Sequence, residues 1–251
     1  RMEAVNLILQ ALTSTGAGFF TRNTALAIVV EAIMHDGVLS LYELLPDALR
    51  QALVQVVNAF NPRLEKLWDV QSPAELAKSA AYLGCAYLML DDAETALLVV
   101  SEAKTFSIAS SNILRLEIDA LIKLGRNQEL LKLGHANVSK LGSDGLIRLA
   151  QEAGNIGDIQ LLDECIIASE KIEFTDTRAS EILQAIRWMS YLRTPKKVEV
   201  IDEVKKAGLD TSDSLYLLAA GARVLLRSAD SEISKNLIER AKLVAAKSES
   251  T

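Results

Sequence analysis

AKSAAYLGCAYLMLDDAETALLVVSEA, residues 77–103, predicts two helices joined by a tight turn. Ala, Leu and Tyr recur at three- and four-residue intervals, the spacing of one helix face, until the pair Asp91-Asp92 interrupts the pattern. Asp92 is a suitable N-cap for the second helix. Ahead of the first helix, SPAE at residues 72–75 offers a capping Ser, then Pro at the first helical position and Glu at the third. The stretch therefore indicates a helix, a turn and a second helix.

The composition of the whole chain favours helices as well. Half of the 251 residues are hydrophobic but only 5% are aromatic, so the apolar mass is mostly Ala, Leu, Ile and Val. Leu and Ala, with Glu, Lys and Gln between them, are strong helix formers. Twelve Gly and four Pro supply few of the turns that an all-β chain needs. We expect an all-α fold.

The helix-turn-helix pattern recurs along the chain. Similar segments start at residues 77, 111, 143, 179 and 212, which are 34, 32, 36 and 33 residues apart. The turns are expected at residues 124–126, at Gly157-Asp158 and at residues 193–195. The apolar positions include Leu146, Leu149, Ala150 and Ala153 on the first helix of the third segment, and Val198 and Ile201 on the second helix of the fourth. A fixed period of this size predicts a stack of helix pairs.

The first of these segments resembles the tetratricopeptide repeat family. Leu83-Gly84, Tyr87, Ala96 and Ala103 stand where the family has its Leu-Gly pair, its Tyr and its small residues. The resemblance implies an α-solenoid of antiparallel helix pairs in a right-handed superhelix, with about five pairs over residues 73–251. In this reading Gly84 and Ala96 let the two helices of a pair cross closely. Bulky Ile118 and Ile186 replace the family's small residue, so another α-solenoid type is the alternative.

Residues 1–72 show no clear repeat. Helices are expected at residues 2–12, 23–35, 41–45, 46–60 and 62–69. This N-terminal helical region could be two diverged helix pairs or a cap on the open end of the stack, which solenoids need.

No residue pattern carries a recognisable chemistry. The segment GAGFFT at residues 16–21 lacks the third Gly and the Lys of a phosphate loop, so a helix connection is expected there. His35 and His135 have no second His or Cys at ligand spacing, and we assign them surface or capping roles rather than metal binding. Asp91-Asp92 is an ordinary helix start. We therefore predict no enzyme, no catalytic residues, no cofactor and no metal, with a site of scattered residues around Asp91 or His135 as the remote alternative.

Charge and cysteine content narrow the class of partner and the compartment. The net charge of −6 argues against a nucleic-acid surface. The apolar run 25–34 is interrupted by Glu31 and is too short to span a bilayer. Cys85 and Cys165 lie in apolar helical segments, which suits free thiols in a reducing compartment. We expect a cytoplasmic protein that binds another protein, without membrane insertion.

The resemblance also implies which residues would bind that partner. In the family the first helices line a concave groove through set repeat positions. Those positions fall here on Lys78, Leu88, Met89, Asn112, Arg115, Asp119, Ile122, Lys123, Gln151, Asn155, Leu183, Arg187 and Tyr191. A peptide or helix would lie along the apolar members, with Arg115 and Arg187 fixing its polar groups.

Two other interpretations of the chain stay open. The lining residues could be structural or merely exposed. Alternatively the chain could be a regulatory or accessory domain of a larger protein or of a secretion-type assembly, interacting through its apolar N-terminal helices.

Overall fold

The protein is all-helical wherever the structure describes it. A computed structural model describes residues 27, 30, 47–60, 73–105, 110–172, 177–228 and 230–248. Within these ranges there are eleven α-helices, two short 3-10 helices and no strands. The predicted all-α class is confirmed. The chain divides into two compact units, Arg1–Arg126 and Asn127–Thr251.

The first unit contains four of these helices. They are α1 (Asp47–Phe60), α2 (Pro73–Met89), α3 (Ala93–Thr105) and α4 (Ser111–Lys123). Helix α2 packs against α1, α3 and α4, and α3 also packs against α4. The core between them is formed by side chains such as Leu53, Leu88, Val100 and Leu116, each at most 2% exposed.

The second unit contains the other seven helices. They are α5 (Asn127–Asn137), α6 (Ser143–Ile156), α7 (Ile159–Glu170), α8 (Thr177–Tyr191), α9 (Lys197–Lys206), α10 (Leu215–Leu226) and α11 (Ser231–Ser248), with 3-10 helices at Val138–Lys140 and Leu209–Thr211. Helix α6 packs against α7 and α8, α8 also packs against α9 and α10, and α10 also packs against α11. Leu149, Leu162 and Leu218 are fully buried in this unit.

Local capping sets the helix boundaries, as the sequence predicts. Asp92 Oδ1 accepts a hydrogen bond from Thr95 N at 3.1 Å at the start of α3. Asp158 does the same for α7, with Leu161 N at 2.9 Å. Gly125 and Gly157 take φ values of +64° and +91° in the predicted turns, a conformation that costs Gly little. Helix α4 begins at Ser111 and α6 at Ser143, which confirms those two predicted starts.

Gly84 does allow a close approach, but mainly to a different helix. A Cβ atom added to Gly84 would lie 2.1 Å from Leu116 Cδ2, which belongs to α4 and not to the neighbouring α3. Ala96 of α3 is fully buried. The lack of bulk at Gly84 therefore matters most for the contact between α2 and α4.

The predicted burial pattern is confirmed in the third segment and partly wrong in the fourth, and the helix of the fifth segment begins later than predicted. Leu146, Leu149, Ala150 and Ala153 are fully buried. Val198 was expected in the core of α9, yet it is 68% exposed, because α9 packs through Val200 and Val204 instead. Helix α10 begins at Leu215, three residues later than the predicted start of its segment.

Much of the N-terminal region lies outside the described residues. There, α1 confirms the helix predicted for residues 46–60, and Ala27 and Val30 are helical within the predicted helix 23–35. The helices predicted at residues 2–12, 41–45 and 62–69, the segment 16–21, His35 and Ser72 lie outside the described ranges. The boundary predicted at residue 72 stays a prediction.

Candidate protein-binding faces

In the first unit, the predicted lining residues meet on two neighbouring helices. Lys123 of α4 contacts α2 and the turn that follows it. Its Nζ donates to Leu88 O of α2 at 2.6 Å and to Asp91 Oδ1 of the turn at 2.7 Å. Arg115 lies 3.7 Å from Asp119, one turn further along α4. Both charges act on the Cys85 thiol of α2, whose pKa rises to about 11 chiefly because it is buried. The Lys123 contacts therefore join α4 to the C-terminal end of α2 and the turn that follows it.

In the second unit, α6 and α8 bring two further sets of lining positions together. A Cβ atom added to Gly154 would lie 2.2 Å from Ser190 Oγ, so the two helices touch at that point. Gln151 and Asn155 of α6 are exposed, and Arg187 of α8 is half-buried. These side chains share the surface of one unit.

Five of the thirteen predicted lining residues are buried. Leu88 is fully buried, and the exposed fractions of Leu183, Tyr191, Asp119 and Met89 lie between 2% and 8%. The four apolar or aromatic ones among them fill the space between packed helices. A partner lying on the surface would not touch them.

The accessible members of the predicted set are mainly polar. Lys78, Asn112, Gln151 and Asn155 are exposed, while Arg115, Ile122, Lys123 and Arg187 are half-buried. Lys78 Nζ lies 5.8 Å from the centre of the Tyr82 ring. In the first unit the accessible members are polar apart from one large aliphatic side chain, Ile122, and in the second unit all three are polar.

Arg187 belongs to a polar network that the sequence did not indicate. Glu203 Oε1 of α9 accepts hydrogen bonds from Gln184 Nε2 at 2.6 Å, Arg187 Nη1 at 2.9 Å and Trp188 Nε1 at 3.0 Å. The indole of Trp188 is only 3% exposed, so this bond satisfies a buried donor. Arg187 is thus already engaged by a carboxylate of its own chain.

Tyr191 extends this network towards α7. Its hydroxyl donates to Asp163, and its ring lies between the charged groups of Lys196, at 4.7 Å, and Arg187, at 5.3 Å. Burial and the bond to Asp163 raise the pKa of Tyr191. The hydrogen bond with Tyr191, followed by the charge of Asp163, raises the pKa of Lys196. The network fixes α7, α8 and the start of α9 relative to one another.

An open cleft of about 500 Å³ lies beside Glu203. It is lined by Gln184, Trp188, Glu203, Lys206, Ala207, Leu209 and Leu217. It lies within the second unit, between the end of α9 and the start of α10. None of the predicted lining residues lines this cleft, although Arg187 donates a hydrogen bond to Glu203, which does.

His135 and Asp91, the two candidates for a catalytic site, are both held in ion pairs. His135 lies 2.8 Å from Glu164 and 3.3 Å from Asp158, and the hydrogen bond with Glu164 is the main reason that its pKa is raised. Asp91 is paired with Lys123, whose hydrogen bond lowers the pKa of that carboxyl. In the described ranges, no group of three or more His, Cys, Asp or Glu side chains is arranged to hold a metal ion.

None of the helices that the structure describes combines the length and the apolar character needed to cross a membrane. No protein-family model, no curated protein and no solved structure matches this chain.

Proposed function

We propose that this protein is a non-enzymatic protein-binding module, built of tetratricopeptide-like helix pairs, that holds a peptide or helix of its partner on the face of successive first helices. One observation carries the proposal. In each unit the first helix of a pair packs against both its own second helix and the next first helix: α2 against α3 and α4, and α6 against α7 and α8. Contacts between adjacent pairs are typical of an α-solenoid.

The short connections support antiparallel pairs. Three residues separate α2 from α3, and two separate α6 from α7. A connection of this length between helices that pack together returns the chain alongside itself. Within each unit, successive first helices then lie side by side, and such a row of helices presents an extended surface for binding.

Polar contacts would dominate recognition in the first unit. Lys78 is exposed on α2 and Asn112 on α4. Arg115 is half-buried on α4, three residues after Asn112. An extended peptide leaves its backbone N–H and C=O groups open, and side chains of these types bond such groups. We therefore propose that the partner segment bound on this face is an extended peptide with polar side chains.

A binding role without catalysis fits the chemistry of the described groups. Burial raises the pKa of Cys165 to about 12 and that of Cys85 to about 11, so both thiols are poor nucleophiles at neutral pH. Neither cysteine forms a disulfide, which suits the proposed cytoplasmic location. The alternative role, an accessory domain acting through apolar N-terminal helices, gains less support from α1, because Leu53 and Val56 are buried in the core of the first unit.

A peptide selection would test the proposed face. Peptides are selected from a random library on the full chain, and their Kd is measured by fluorescence anisotropy. We expect the double variant Lys78→Ala, Asn112→Ala to bind about tenfold more weakly, since both side chains are exposed and their loss removes contacts without removing core. Lys132→Ala, an exposed change on α5, is the control and is expected to leave Kd unchanged. Failure to select any peptide, or equal effects of face and control variants, would contradict the proposal.

A further inference from the structure

Helix α10 exposes an arc that is apolar on one side and basic on the other. Leu215, Ala219 and Leu226 follow the spacing i, i+4, i+11 and form the apolar edge. Tyr216, Arg223 and Arg227 follow the spacing i, i+7, i+11 and form the basic edge, about a quarter turn further round. Leu226 is 55% exposed, and Leu215 and Tyr216 are about 40% exposed.

The opposite side of α10 already forms its contacts with the rest of the second unit. Leu218, Val224 and Leu225 are at most 1% exposed. Gly221 faces Leu209 and the side chains of α9 and α11, since an added Cβ atom would meet Leu209 Cδ1 at 2.4 Å. Tyr216 lies at the border with α8, where its hydroxyl accepts a hydrogen bond from Arg178 Nη2 at 2.9 Å. Among the described residues of the second unit, packing of α10 therefore leaves the arc exposed.

Two exposed apolar residues of α11 have a different setting. Ile233 and Ile238 flank the packed side of that helix, which is formed by Ser234 and Leu237. They are the rim of an ordinary amphipathic helix. On α10, by contrast, Leu215 and Leu226 lie on one row, with Ala219 between them. Contiguous exposed apolar surface that is rimmed by polar residues is typical of interaction sites.

The two arginines indicate the charge of what binds there. Within the described residues, neither Arg223 nor Arg227 takes part in an ion pair. They are one helical turn apart, so two carboxylates spaced by four residues on an opposing helix would match them. The chain itself carries a net charge of −6, which disfavours a second copy as the occupant.

We propose that this arc of α10 binds an amphipathic α-helix of another protein, one with a Leu-type apolar row beside an acidic row. Helices already pack against one another in this way within the unit, where α6 packs against α8 and α8 packs against α10. The bound helix would cover Leu215, Ala219 and Leu226 with its apolar row and pair with Arg223 and Arg227 through its acidic row. This surface is separate from Lys78 and Asn112, so the inference does not depend on peptide binding there.

Three synthetic helical peptides test the proposal on the full chain. The first has a Leu row beside a Glu row, the second has Lys in place of Glu, and the third has the first peptide's composition with the Leu positions scrambled. Kd is measured by fluorescence anisotropy with labelled peptides. The first peptide is expected to bind at least about tenfold more tightly than the other two. Equal binding of all three would overturn the proposal.

Variants of the chain then locate the site. Leu226→Asp and the double variant Arg223→Glu, Arg227→Glu are each expected to weaken binding of the Glu peptide about tenfold, and the double variant is expected to gain binding of the Lys peptide. Leu243→Asp, at a side chain of α11 that is 60% exposed, is the matched control. Circular dichroism checks that each variant keeps its helices. An equal loss with Leu243→Asp would overturn the assignment to α10.

Sedimentation of the wild-type chain distinguishes the other possible occupant. If the chain self-associates and Leu226→Asp abolishes the association, a second copy occupies the arc and the proposal is wrong. A monomer that binds the Glu peptide supports it. If the selection finds no peptide that binds at Lys78 and Asn112, the tests of α10 can still be interpreted, because neither residue lies on α10.

Discussion

Gly84 of α2 and Leu116 of α4 touch so closely that a methyl group added to Gly84 would lie 2.1 Å from Leu116 Cδ2. Leu116 is only 2% exposed, so its side chain cannot turn out into solvent to make room for that methyl group. The distance between α2 and α4 is therefore set by the absence of a side chain at one position.

Gly84→Ala is expected to lower the free energy of unfolding by about 1–3 kcal/mol, because the added methyl group overpacks the contact with Leu116. Leu116→Ala alone is expected to cost about 2–5 kcal/mol through the cavity that it leaves. The double variant should cost less than the sum of the two, since the new methyl group enters that cavity. Urea unfolding followed by circular dichroism measures all three. Strict additivity would show that the two residues do not share this contact.

The ion pairs of His135 are expected to make stability depend on pH. The pKa of His135 is raised above its ordinary value near 6.5, first by the hydrogen bond with Glu164 and then by the one with Asp158. A raised pKa in the folded state means that the contribution is complete below pH 6.5 and is lost as the pH rises through the folded-state pKa. His135→Gln should therefore lower the urea midpoint at pH 5.5 and change it little at pH 9.

Titration of the histidine by NMR checks the same relationship directly. Glu164→Gln is expected to move the pKa of His135 back towards 6.5, because it removes the main partner. An unchanged pKa in that variant would contradict the assignment of the shift to Glu164.

Removal of the Glu203 carboxylate is expected to destabilise the second unit. Glu203→Ala leaves the buried indole N–H of Trp188 without its acceptor, and an unsatisfied buried donor costs about 1–3 kcal/mol. Arg187 and Gln184 are partly exposed and can turn to water, so they add less. Thermal unfolding measures the loss. Asp202→Ala, the exposed neighbour on α9, is the control and should leave the transition unchanged.

Loss of the cap on α3 should have a smaller effect. Asp92→Ala removes the acceptor of Thr95 N and of the Thr95 hydroxyl, and capping residues are worth about 1 kcal/mol. Asp92→Asn keeps a side-chain oxygen for the backbone N–H and should retain most of the stability. If both variants unfold at the same urea concentration, the side chain of residue 92 does not cap this helix.

The parts of the fold that local chemistry controls could be predicted from the sequence. Asp92, Gly125 and Gly157 act within a few residues of themselves, and the helix ends lie where these residues indicate. The spacing of apolar residues predicts which side chains share a face, and for α6 that face is the buried one. For α9 it is not, because Val198 and Val200 compete for the core, and only the position of the neighbouring helices decides between them.

The candidate site was harder to predict for the same reason. Repeat positions taken from a family select a face of each helix, but they do not tell how closely the next helix approaches. Leu88 and Leu183 are covered because neighbouring helices fill the space that a partner would need. The bond between Trp188 and Glu203 joins two helices through side chains fifteen residues apart, and no local pattern indicates it. The exposed arc of α10 follows only from knowing which of its sides are already packed.

The two cysteines, one in each unit, give the protein a built-in pair of reporters. Cys165 is fully buried and Cys85 partly so, and both thiols are strongly protonated at neutral pH. A thiol-modifying reagent reacts with the thiolate, so labelling becomes faster when the surrounding helices open and the thiol is exposed to water. Mass spectrometry would then give the labelling rate of each cysteine separately. One sample of the wild-type chain would thus report opening in residues 1–126 through Cys85 and in residues 127–251 through Cys165.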